Sequence, residues 1–136
     1  MRIKEYHHVV QYYETDKMGI THHSNYVRWM EESRVDFLEQ IGCSYAKLEE
    51  MGAISPVVSV NVNYKKPTTF SDDVSIKVSI SEYSGVKISF QYEMKNSKGE
   101  IVCLATSTHC FLSKEGRVVM VASQLPKLDK ILKSLL

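Results

Sequence analysis

The sequence has 136 residues, 43% of them hydrophobic and 24% charged, with a formal net charge of +1. This length and composition predict one packed domain over residues 1–136 and argue against a disordered chain. The near-neutral charge argues against a general nucleic-acid binder, and no apolar run reaches the roughly 20 residues of a membrane helix.

The opening residues, Met1-Arg2-Ile3-Lys4-Glu5-Tyr6, carry no apolar signal-peptide core, so a cytoplasmic location is expected. Tyr6 to Tyr13 is rich in Val and Tyr and predicts a first strand. The polar run Glu14-Thr15-Asp16-Lys17-Met18-Gly19 breaks it. From Ser24 to Ile41 the period becomes helical, with Tyr26, Val27, Met30, Arg34, Phe37, Leu38 and Ile41 on one face. Arg28, Glu31, Glu32, Asp36 and Glu39 take the other face. Ser24 is the expected N-cap and Gly42 the stop. A second short helix is expected over Tyr45 to Glu50.

Strands follow. Val58, Val60, Val62 and Tyr64 alternate with polar residues, as do Val74 to Ile80 and Val86 to Met94. Period-two alternation predicts one buried and one wetter face for each. Ile101 to Leu112 is apolar on both faces and is expected in the middle of the sheet or at a subunit contact. Val118 to Val121 suggests a last short strand, and Leu125 to Leu136 a C-terminal helix. The order predicts an α+β fold, one long helix wrapped by a curled antiparallel sheet of five to six strands. Such a unit leaves strand edges and a sheet face to hide, so oligomerisation is expected.

Cys43, Cys103 and Cys110 are an odd number without a CxxC pair, and predict reduced thiols packed as small hydrophobes. His7, His8, His22, His23 and His109 do not fall at zinc-ligand spacings. No metal and no cofactor are expected.

The connection between the first strand and the long helix gathers the chemistry. Asp16 offers a carboxylate on a loop, and Gly19 lets the backbone turn tightly or lie close to a ligand. The helix start beyond His23 offers free N–H groups and the positive end of a helix dipole. That pairing suits acyl transfer: the N–H groups polarise a thioester carbonyl, and the carboxylate attacks it or activates water.

Tyr12, Thr15, Asp16, Gly19, His23, Tyr26, Trp29, Glu31 or Glu32, and Arg34 together resemble the signature of hotdog-fold acyl-CoA thioesterases of the 4-hydroxybenzoyl-CoA thioesterase type. Tyr64-Lys65-Lys66-Pro67 and Asp72-Asp73 also resemble that family's strand-Pro-turn-Asp pattern, so the likeness spans most of the chain. The resemblance implies hydrolysis of an acyl-CoA to a carboxylic acid and CoA. It implies Asp16 as nucleophile or general base, a polarising N–H near His23, and a His23 side chain that orients the carboxylate or substrate. Gly19, His22, Asn25, Tyr26, Lys65 and Lys66 are the expected substrate-binding residues, with the lysines meeting CoA phosphates. His22 departs from the family, where an aromatic residue such as Tyr is commoner. Each of these positions has a plainer reading: Asp16 as a turn residue, the histidines as helix-cap residues, and Lys65 and Lys66 as a solvated strand end. Glu31 and Glu32 are expected to be solvated or paired with Arg28 or Arg34 rather than catalytic. Tyr26 and Trp29 also read as packing residues. The rival readings are an acyl-ACP thioesterase and a non-catalytic acyl- or CoA-binding protein. A dehydratase of the same fold would carry a His with an Asp or Glu in a different motif.

Overall fold

The computed structural model describes residues 2–136. Strand β1 (Tyr6–Val9) leads through a 3₁₀ turn (Tyr12–Glu14) to helix α1 (Ser24–Gln40) and the short α2 (Tyr45–Glu50). Then come β2 (Ala53–Ile54), β3 (Val57–Tyr64), β4 (Asp73–Tyr83), β5 (Lys87–Lys95), β6 (Ile101–Cys110) and β7 (Leu112–Ser113). The chain closes with α3 (Val121–Gln124) and α4 (Pro126–Ser134). Five strands form an antiparallel sheet in the order β1-β4-β5-β6-β3, and β2 pairs with β7 in a separate two-stranded ribbon. This is the α+β arrangement of one helix against one antiparallel sheet that the strand and helix periods predict, and it is the hotdog fold that the resemblance implies.

The sheet buries its inward residues against α1. Val74, Ile76, Val78 and Ile80 of β4 and Ile88, Phe90, Tyr92 and Met94 of β5 meet Tyr26, Trp29, Met30, Phe37 and Leu38 of the helix. Burying each such side chain is worth about 1.5–3 kcal/mol, which fixes α1 against the sheet. Helix α4 adds Leu128 and Leu132 to the same core. Among the described residues, no helix is long and apolar enough to cross a membrane.

Several boundaries differ from the sequence expectation. The first strand stops at Val9, because Tyr12–Glu14 turns into a 3₁₀ helix locked by the Gln11 N–H and the Glu14 carboxylate. The N-cap of α1 is His23 rather than Ser24, and the His22 ring takes over the capping, its Nδ1 lying 2.8 Å from Ser24 Oγ and accepting the Ser24 N–H at 3.3 Å. Val27 is exposed, and Trp29 and Ser33 occupy the buried stripe with Tyr26, Met30 and Phe37. Val118 makes a lone bridge to Leu112, and the residues after it become α3.

The largest departure is β3. Its alternation predicts a covered face, yet Val58 is 53% exposed and Val57, Val60 and Tyr64 are exposed as well. It is an edge strand, paired only with β6, so in one copy of the chain neither face is sealed. By contrast β6, apolar on both faces, lies between β5 and β3 inside the sheet, as expected.

The three cysteines are free thiols; Cys43 and Cys103 are buried and Cys110 is partly so. Burial pushes the Cys103 thiol up to about 11, consistent with a packing role.

Candidate active site

The turn that carries Asp16 is closed on itself. The Asp16 N–H donates to Ile20 O at 2.9 Å, and the Gly19 N–H donates to Asp16 O at 3.0 Å. Gly19 has φ +79°, a left-handed conformation that a side chain would strain. Thr15 and Thr21 form a bridge across the base of the turn. Asp16 Oδ1 accepts the Met18 N–H at 2.8 Å, while Oδ2 has no hydrogen bond among the described residues. One carboxylate oxygen therefore holds the turn and the other is available.

The segment after β3 buttresses this turn. Thr68 is buried; its carbonyl accepts the Thr21 N–H at 2.8 Å, and its hydroxyl lies 2.6 Å from Thr21 Oγ1 and 3.0 Å from the Tyr26 hydroxyl. Thr69 Oγ1 donates to Gly19 O at 2.7 Å, and Asp72 Oδ2 accepts the Thr69 N–H at 2.9 Å.

The start of α1 is equally constrained. The His22 N–H donates to Glu14 O at 2.8 Å, the Ser24 N–H to the His22 ring at 3.3 Å, the Asn25 N–H to His22 O at 3.0 Å, and the Tyr26 N–H to His23 O at 3.3 Å. Across His22 to Tyr26, only the His23 N–H has no acceptor among the described residues. A spare N–H at the first turn of a 17-residue helix carries the positive end of the dipole. The Tyr64 hydroxyl donates to His23 O at 3.0 Å and ties β3 to this point.

Two grooves flank the helix, and their charges differ. A groove of about 230 Å³ is lined by Ile20, Thr21, His23 and Tyr26 from the turn and helix and by Tyr64, Lys65, Lys66 and Pro67 from the end of β3. Asp16 does not line it directly; Ile20, bonded to the Asp16 N–H, does. The Lys65 ammonium has no ion-pair partner among the described residues, whereas Lys66 is paired with Glu100. A second groove, of about 700 Å³, is lined by Glu14, Glu31, Glu32, Asp36 and Glu39 with Arg28 and His8. That excess of carboxylates disfavours a polyanion, whereas the smaller groove carries the unpaired Lys65 ammonium and no carboxylate in its lining.

Other predicted site residues fall as follows. Gly19 shapes the turn. His22 is exposed and stacks on His23 with ring centroids 4.3 Å apart. Asn25 is buried, its Nδ2 donating to Glu14 O at 3.0 Å and to His22 O at 3.2 Å, so its side chain braces the backbone and lies outside the smaller groove. Tyr26 is buried yet reaches the groove. Glu31 and Glu32 do not pair with either arginine. Glu32 instead accepts from the Tyr6 hydroxyl at 3.2 Å and lies 3.4 Å from His8 Nδ1. Arg34 is buried and donates to the Tyr45 and Tyr92 hydroxyls at 2.8 and 3.0 Å. No group of three or more His, Cys, Asp or Glu among the described residues has a metal-binding arrangement.

Sequence reading passes over Glu14, Thr21 and Thr68. Glu14 looks like part of a polar break, but the Trp29 indole and His8 close over it. Thr21 and Thr68 are 47 residues apart, and no local period marks their contact.

The fold, together with the family and relatives that the chain matches, defines a hotdog thioester hydrolase. A family model described as "Thioesterase-like superfamily" matches residues 10–135, and the chain belongs to that family. It is 40% identical over 106 residues to "Putative acyl-CoA thioesterase YneP" of Bacillus subtilis (strain 168), covering 78% of this chain and 77% of that protein. Among solved structures it resembles a DHNA-CoA thioesterase from Staphylococcus aureus, with a TM-score of 0.92 and 31% identity over 96% of this chain and 89% of that one. It also resembles the BH1999 gentisyl-coenzyme A thioesterase, with a TM-score of 0.82 and 25% identity over 90% of this chain and 99% of that one.

Proposed function

We propose that the protein hydrolyses an acyl-CoA thioester to a carboxylic acid and CoA, with Asp16 and the His23 N–H as its working groups. The observation that carries this reading is the single spare N–H at the start of α1, on a residue that lines the groove rimmed by Lys65 and Lys66. The thioester carbonyl oxygen accepts from the His23 N–H, which stabilises the oxyanion as the carbonyl is attacked; losing one such donor typically costs about 100- to 1,000-fold in rate. Asp16 either attacks the carbonyl carbon, expelling the CoA thiolate and leaving a mixed anhydride that water opens, or takes a proton from the attacking water. Its unbonded Oδ2 serves either role. A loop carboxylate just before the helix is the arrangement of the 4-hydroxybenzoyl-CoA thioesterase type, which is the subclass we assign.

The CoA nucleotide lies toward Lys65, away from the carboxylate-lined groove. The exposed β3 edge is sealed by a second copy, giving a homodimer or homotetramer. Three unpaired thiols agree with a cytoplasmic location.

A free-thiol release screen over short, long, branched and aromatic acyl-CoAs tests the reaction, with matched acyl-ACPs alongside to decide the carrier. Turnover of at least one acyl-CoA class that is abolished in Asp16→Asn supports the reading. Failure to release thiol from any member contradicts it.

A further inference from the structure

Glu14 is 4% exposed, and every polar atom of it that can accept is engaged. Its carboxylate accepts the Gln11 N–H at 2.8 Å, lies 2.8 Å from His8 Nε2, and accepts the Trp29 indole N–H at 2.8 Å. Burial alone would raise its pKa; the Gln11, His8 and Trp29 hydrogen bonds outweigh that and leave it below the ordinary carboxylate value. Its backbone carbonyl accepts the His22 N–H at 2.8 Å and Asn25 Nδ2 at 3.0 Å. Three elements thus converge on one residue two positions before Asp16: β1 through His8, the helix interior through Trp29, and the helix start through His22.

Peptide planarity gives this convergence a consequence. The spare His23 N–H belongs to the same rigid unit as the His22 carbonyl, and the two point in opposite directions. The His22 carbonyl is held by the Asn25 N–H at 3.0 Å and by Asn25 Nδ2 at 3.2 Å. That same Nδ2 is bonded to Glu14 O. The aim of the His23 N–H is therefore set by Asn25, and Asn25 is set by Glu14. On the other side, the Gln11–Glu14 bonds lock the 3₁₀ turn that leads into the Asp16 turn.

Resting on the proposed thioesterase reading, we propose that Glu14, acting with Asn25, is the positioning residue that holds the Asp16 carboxylate and the His23 N–H in register. Neither residue touches substrate; both act on the relative placement of the two groups that do.

The test is kinetic, on purified Glu14→Ala, Glu14→Gln and Asn25→Ala proteins, with near-UV circular dichroism reporting the fold. Glu14→Ala is expected to lower kcat about 30-fold with KM within about threefold, because small misplacements of reacting groups cost rate rather than affinity. Glu14→Gln, which keeps the shape and one acceptor oxygen, is expected to recover most of that loss. Asn25→Ala is expected to reproduce the kcat loss, and it decides the matter if Glu14→Ala does not fold. In an Asp16→Asn background, either alanine variant is expected to cost less than about threefold more, as for residues acting as one unit. Unchanged kcat in folded Glu14→Ala or Asn25→Ala overturns the proposal, as does a loss that stays undiminished in the Asp16→Asn background. Absence of thiol release by the wild-type protein would instead overturn the underlying thioesterase reading, and normal turnover by Asp16→Asn the role of Asp16 in it, so the failures are distinguishable.

Discussion

The Tyr64 hydroxyl, at the end of an exposed edge strand, donates to the backbone carbonyl of His23, the N-cap of α1, at 3.0 Å. Through that bond the strand that borders the groove also fixes the residue whose N–H faces the thioester in the proposed mechanism. Tyr64→Phe keeps the ring and removes only the donor. It is expected to lower kcat about three- to tenfold and to lower the unfolding free energy by no more than about 1 kcal/mol, the usual contribution of one neutral hydrogen bond. Steady-state kinetics with urea titration of the same sample checks both halves.

Lys65 supplies an unpaired positive charge beside the groove, while Lys66 is held by Glu100. Lys65→Glu is expected to raise KM for an acyl-CoA about tenfold at low salt and to narrow the gap with wild type as salt increases. The same acyl group on a pantetheine thiol lacks the nucleotide phosphates and is expected to show no such gap. Equal sensitivity of both substrates would place the nucleotide elsewhere.

The core contains a titratable group that disfavours acid. His109 is fully buried, with Nε2 2.8 Å from Ser107 Oγ and Nδ1 without a partner. Burial, aided by the nearby Arg34 charge, pushes its pKa from 6.5 down to about 4. The unfolded chain therefore takes up this proton first, and folded stability falls as pH drops from about 6.5 toward 4, by about 3 kcal/mol over that window. Above 6.5 the ring is neutral in both states and contributes no pH dependence. Glu14 acts at lower pH: its depressed pKa contributes stability above the ordinary value of 4.5 that is lost as pH falls through the folded value. Urea unfolding of wild type and His109→Gln at pH 7, 5.5, 4.5 and 3.5 separates the two, because the variant should lose only the upper window.

The β3 edge predicts assembly. Val58 and Val60 expose apolar surface on a strand with one free side. Val60→Lys puts a charge into that surface and is expected to shift sedimentation toward the monomer while leaving far-UV circular dichroism unchanged. A wild-type protein that already sediments as a monomer at micromolar concentration would contradict the assembly.

Much of this fold is legible in the sequence because local periods dominate it. The 3.6-residue period placed α1 within a residue at its far end, and the period-two runs located β4 and β5. The motif from Tyr12 to Arg34 singles out Asp16, Gly19 and His23; the first two lie on the turn closed by the Thr15–Thr21 bridge and the third is the N-cap of α1. What the sequence hid is non-local. The Thr21–Thr68 contact spans 47 positions, and Glu14 becomes a buried hub only when Trp29 and His8 arrive from two other elements. The uncovered face of β3 is also beyond local reading, because alternation shows that a face is apolar and says nothing about which chain covers it. Val27 failed for a related reason: it follows the helical period, yet at the first turn of α1 it remains exposed.

In the proposed mechanism Asp16 does the chemistry. Its Oδ1 bond to the Met18 N–H can be kept by an amide oxygen, so Asp16→Asn preserves the turn and removes only the charge. This variant, folded by circular dichroism, is expected to show kcat for thiol release from its best acyl-CoA lowered by at least about 100-fold. Thiol release by the folded variant at close to the wild-type rate would contradict that mechanism.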